Sequence, residues 1–138
     1  MPRQAIDDLP YLNHTHRELL LMLEGRKPLA AFVGQYPAIE CDPGVPERAF
    51  AQYVQTERLI KTEFQLDSRA GSGTLVRHVL YALPEQKWRL KSYQLLLEVG
   101  LASGWSPGLE RMQGRLLGYS DEECETYLRF VAGMKKSA

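Results

Sequence analysis

In the middle of the chain the apolar positions recur at every second residue. Ile60, Thr62, Phe64 and Leu66 alternate with Lys61, Glu63 and Gln65, which is the period of a half-buried strand. TLVRHVLYAL, from Thr74 to Leu83, reads as a second strand, and the polar DSRAGSG between them, with Gly71 and Gly73, reads as the tip of a β-hairpin. The expected register pairs Leu66 with Thr74, Phe64 with Val76, Thr62 with His78 and Ile60 with Leu80. That pairing keeps the apolar sets on one face.

Elsewhere the period is helical or the run is short. Thr15 to Glu24 is a predicted helix, stopped by Gly25 and Pro28. LAAFVG, Leu29 to Gly34, suits a buried strand, and the proline-rich QYPAIECDPGVP after it suits a loop. Pro46 opens a helix to about Gln55, with Ala49, Phe50, Tyr53 and Val54 on one face. Pro84 ends the hairpin and opens a long helix to about Leu101. Ser106 caps the next helix, whose buried stripe is Leu109, Met112, Leu116 and Leu117. Ser120 caps the last, with Cys124, Tyr127, Leu128 and Val131 inward and Lys135 and Lys136 near its negative end.

The predicted class is α+β: a small, mainly antiparallel three-stranded sheet with a β-hairpin, packed against about five helices, the last two forming an αα-hairpin. Residues 1–13 read as a loose arm, 14–134 as one domain and 135–138 as a tail. The length of 138 residues suits a single core.

Charge changes the picture by exclusion. Lys plus Arg and Asp plus Glu number 17 each, for a net charge of +0. No global field draws the chain to nucleic acid or to an anionic membrane. The last two helices resemble a helix-turn-helix in outline, but the second begins Asp121, Glu122, Glu123, which would repel a phosphate backbone. MPRQAIDDLPYL lacks a signal-peptide core. The apolar run Leu19 to Leu23 falls far short of the ~18 residues of a membrane span. Two cysteines, Cys41 and Cys124, make neither a disulfide framework nor a zinc site; the expected setting is a reducing cytoplasm with both thiols free.

Candidate chemistry is sparse. His14 and His16 are candidate metal ligands, but Thr15 followed by Glu18 is a capping box, so the pair flanks the start of a helix. His78, on the apolar face of its strand with Thr62 opposite, is the best acid/base candidate. No nucleophile elbow accompanies it. Ala70 to Thr74 lacks the lysine of a phosphate loop and leads into a strand. In PEQKWRLKSY, Lys87, Arg89 and Lys91 crowd the first turns of a helix, where the dipole disfavours cations, with Trp88 and Tyr93 interleaved. A local rule broken without visible gain can mark a site.

Two functional expectations follow. The first is a non-enzymatic protein acting through protein contacts, as a homodimer, adaptor or inhibitor, with Leu20, Leu21 and Trp105 as contact residues. The second is a site for a small anion or nucleotide, or for acid/base chemistry, built from Arg77, His78, Lys87, Trp88, Arg89 and Lys91. Neither calls for a cofactor.

Overall fold

The computed structural model describes residues 17–137. Its elements run α1 (Glu18–Leu23), β1 (Leu29–Gln35), α2 (Glu47–Gln55), β2 (Ile60–Asp67), β3 (Leu75–Ala82), α3 (Trp88–Ser103), α4 (Pro107–Leu116) and α5 (Asp121–Ser137), with a short 3₁₀ turn, Pro84–Gln86, ahead of α3. This is an α+β fold: an antiparallel sheet in the order β1-β3-β2, with five helices. The arm, Thr15 of the expected capping box, His14 and His16 lie outside the described residues, within which α1 begins at Glu18, after Arg17. The last helix runs on through Lys135 and Lys136 to Ser137.

The hairpin forms as expected, but its register differs by two residues. Leu66 pairs with Val76, Phe64 with His78, Thr62 with Leu80 and Ile60 with Ala82. The slip is even, so every side chain keeps its face. The tip closes later than expected because the Ser68 N–H donates to the Thr74 carbonyl at 2.8 Å. The Ser72 hydroxyl accepts from the Thr74 N–H at 3.2 Å inside the turn.

The two faces of β3 support different layers. Val79 and Tyr81 point towards α1 and α2, where they pack with Met22, Ala30, Phe50 and Leu59. Phe50 and Tyr81 stack with ring centroids 4.2 Å apart. Leu80 and Ala82 point the other way and pack with Leu29, Phe64, Leu90 and Tyr93. Leu29, Val79, Leu80 and Ala82 have no exposed surface. Removing a valine or leucine side chain of this kind from water stabilises the fold by about 1.5–3 kcal/mol.

The αα-hairpin of α4 and α5 packs outward from α3, with Leu116 and Leu117 reaching the sheet-side core. Both predicted caps form. Ser106 Oγ accepts from the Leu109 N–H at 3.2 Å. Ser120 Oγ accepts from the Glu123 N–H at 3.1 Å while Glu123 Oε1 accepts from the Ser120 N–H at 2.8 Å, a reciprocal box. Arg111 pairs with Glu125 across the hairpin, and Cys124, 3% exposed, fills its interior.

Candidate functional site

The structure separates the residues expected to form one anion site. Arg77 and His78 are consecutive in β3 and so face opposite layers. Arg77 is 2% exposed and already neutralised. Its Nη2 donates to Glu47 Oε1 at 2.6 Å and its Nη1 to Glu63 Oε1 at 3.0 Å. Lys61 Nζ adds a bond of 2.9 Å to the other Glu47 oxygen. The Arg77 hydrogen bond, then that of Lys61, holds the Glu47 carboxyl down at about 2. The Arg77 guanidinium is raised in turn, first by Glu47. This group ties α2 to the sheet and commits both terminal nitrogens of Arg77 to carboxylates.

Arg89 is also employed. It leans away from its own helix and across to the end of α4. There Nη1 donates to the carbonyls of Arg115 at 3.0 Å and Leu116 at 3.2 Å, while Nε donates to Gln86 at 2.8 Å. A cation that is misplaced at the start of α3 is well placed at the negative end of α4. The broken local rule is thus offset within the fold, with no anion required. Lys87 and Lys91 are exposed at the start of α3, and Trp88, 57% exposed, lies beneath the Arg89 guanidinium at 4.7 Å.

His78 faces a different cavity. Its ring stacks on Phe64, with centroids 5.2 Å apart, and Thr62, the partner expected from the sequence, lies opposite Leu80 instead. A pocket of about 780 Å³ opens beside it, walled by Leu66, Val76, Leu97, Leu101 and Trp105, with Asp67 and Arg69 at the hairpin end. Burial pushes the imidazole below its ordinary value, which favours a neutral ring near pH 7.

The contact residues also divide. Leu21 is 4% exposed and belongs to the core, because the six-residue α1 turns it inward; Leu20 is 55% exposed. Trp105 lies against Gly100 of α3 and its Nε1 donates to Glu110, so it closes the end of the long helix as well as walling the His78 pocket.

Sequence reasoning missed the outer surface of α3 and α4. Here Trp88, Leu95, Val99 and Met112 are each about half exposed. They line a groove of about 640 Å³, floored by Leu96, Leu109 and Leu116 and ended by Arg89 and Arg115. The signal was present in WRLKSYQLLLEVGLA. Its apolar residues do not fall on one side of a helix, so inward packing of Leu90, Tyr93 and Leu96 still leaves others outside.

Among the described residues no three His, Cys, Asp or Glu side chains gather as a metal site. No helix there is long and apolar enough to cross a membrane. Comparison of the chain with known protein families, with curated proteins and with solved structures finds no match.

Proposed function

We propose that this chain acts through protein contacts rather than by making or breaking bonds, and that the open α3–α4 surface is where it does so. The carrying observation is the co-location of Trp88, Leu95, Val99 and Met112, half exposed, along one groove. Isolated exposed apolar residues need no explanation; four that border one groove do. The occupant this shape suits is the apolar face of a helix, laid between α3 and α4 as a ridge enters a groove. Aromatic and methionine side chains are enriched at such contacts. The two free cysteines, one exposed and one buried, accord with a reducing cytoplasm.

A photo-crosslinking amino acid tests this in producing cells. Placed at Leu95 or Met112 it should form a protein adduct, and placed at exposed Gln55 on α2 it should not. No adduct at either groove position, or equal adducts at Gln55, would overturn the reading.

A second reading rests on the His78 pocket: a largely apolar small molecule with one hydrogen-bonding group, seated between Trp105 and the sheet. It predicts that a ligand panel raises the melting temperature of the parent chain and fails to do so after His78→Ala.

A further inference from the structure

We infer that the helix received by the α3–α4 surface is α3 of a second copy of this chain, packed antiparallel about a two-fold axis at Leu95. The inference rests on the contact reading above and names its occupant. Three observations carry it.

The first is spacing. Along the open side of α3 the residues Trp88, Ser92, Leu95, Val99 and Ala102 recur at intervals of 4, 3, 4 and 3. That is the seam repeat by which one helix packs along another. The buried side of the same helix, with Leu90, Tyr93 and Leu96, is already committed to the interior. The seam is therefore additional to what the fold itself needs.

The second is charge. Lys91 and Glu98 flank the seam on one side, seven residues apart, and both are exposed. A two-fold axis at Leu95 brings Lys91 opposite the partner's Glu98, and Glu98 opposite the partner's Lys91. The same operation places Leu95 on the partner's Leu95 and Trp88 near the partner's Ala102. In antiparallel helices related by such an axis, equivalent flanks lie on the same side, so both charge pairs form together. A parallel two-fold would put equivalent flanks on opposite sides of the seam, where Lys91 and the partner's Glu98 do not meet. The sequence of α3 is thus complementary to itself in one orientation, as an isologous contact demands.

The third is area. Half the surface of a tryptophan, a leucine, a valine and a methionine comes to roughly 400 Å² per protomer, about half of the ~800 Å² that a standard interface takes from each side. With the stems of Lys91 and Glu98 and the turn around Trp105 it reaches the lower end of that class. The expected dimer is reversible, in the micromolar range of dissociation constants.

Sedimentation equilibrium of the full chain, from micromolar to about 0.5 mM, spans the weak end of the affinity scale. The parent chain should dimerise. Leu95→Glu should leave a monomer with unchanged circular dichroism. Lys91→Glu and Glu98→Lys alone should each weaken the dimer roughly tenfold, since each turns two attractive pairs into like-charge pairs. The doubly exchanged Lys91→Glu/Glu98→Lys chain should recover to within about threefold, because the exchange restores both pairs. In a Cys41→Ser background, Leu95→Cys should oxidise to a covalent dimer, and Gln55→Cys should not. A parent chain that stays monomeric, a dimer indifferent to Leu95→Glu, or a double exchange without recovery each overturns the inference. If the chain is monomeric yet the Leu95 photo-adduct forms with a different protein, the broader contact reading survives and only the identity of the occupant is lost.

Discussion

The buried Arg77 group makes an unequal prediction about its own partners. Arg77 has 2% of its side chain exposed, whereas Glu47 and Glu63 have 36% and 34%. Converting both carboxylates to amides, Glu47→Gln with Glu63→Gln, keeps the shape but leaves a guanidinium charge in the interior without its counter-charges. Its Nε has no protein partner even in the parent chain. Stranding a buried charge costs about 3–5 kcal/mol. The opposite change, Arg77→Met, removes the buried charge itself. Its two carboxylates are already part-solvated, and Lys61 still binds one of them, 2.9 Å away. Water can hydrate what is left, so the expected loss is smaller, about 1–2 kcal/mol. Urea unfolding at pH 7 measures both, with m-values checked for constancy. Acid titration supplies a second readout. The folded Glu47 carboxyl lies at about 2, below its ordinary 4.5, so its contribution is complete above about pH 4.5 and is lost as pH falls towards 2. Partial exposure screens the pair, which limits that contribution to about 1–2 kcal/mol. The acid-range slope should shrink in Glu47→Gln. The reasoning fails if Arg77→Met destabilises as much as the double amide variant, because the cost would then come from lost packing rather than from an uncompensated charge.

Three further outcomes follow from the same geometry. Lys27 is 2% exposed, donates to the Leu117 carbonyl at 2.7 Å, and is lowered by burial to about 8. The unfolded chain therefore binds more protons between pH 8 and 10.5, so this residue should add about 2 kcal/mol of stability as pH rises from 8 to 9.5. Burial raises the Cys124 thiol and the hydroxyls of Tyr81, Tyr93, Tyr119 and Tyr127, so these groups lose stability as pH rises in both chains; Lys27→Met should lack the lysine increment, and equal slopes would refute the assignment. Ser120→Ala should cost about 1 kcal/mol in thermal unfolding, since it removes the hydroxyl that accepts from the Glu123 N–H, while the backbone N–H of residue 120 still donates to Glu123. Gly100→Ala sets a methyl group against the Trp105 ring; in a Trp88→Phe background the remaining tryptophan emission should shift to the red while stability moves by no more than about 1 kcal/mol, the helix gain offsetting the lost contact.

Much of the fold was legible because it rests on periodicity and on end signals that act locally. The alternation from Ile60 to Leu66 identified the hairpin and its faces. It could not choose between registers two residues apart, which present the same faces, and the hydrogen bonds of Ser68 and Ser72 at the tip decided that. The caps at Ser106 and Ser120 were readable for the same local reason. The site was less legible. That Arg77 and His78 part company follows from strand period alone, and grouping them overlooked it. What Arg77 does instead depends on Glu47, thirty residues away and on another element. The crowd of cations in PEQKWRLKSY was correctly read as out of place, but its resolution lay across the gap between α3 and α4, where Arg89 reaches the carbonyls of Arg115 and Leu116. Local sequence can report that a rule is broken; the partner that mends it is a property of the packed chain.

The position of α3 explains why one helix would carry both stability and association. It lies between the sheet and the outside, with α4 packed against it. A helix in that place needs an apolar inner side and would gain from a polar outer one, yet its outer side keeps Trp88, Leu95 and Val99 half open. Leaving them open forgoes what their burial would return, about 25 cal/mol per Å² of apolar surface. Stability and association should therefore separate cleanly by location. Substitutions in the Arg77 group, on the far face of the sheet, should lower the unfolding free energy without changing the mass in solution of the chain that remains folded. Leu95→Glu should do the reverse, because Leu90, Tyr93 and Leu96 on the inner side are untouched. Were Leu95→Glu to unfold the monomer, the outer surface would be part of the core after all, and the case for a contact there would collapse with it.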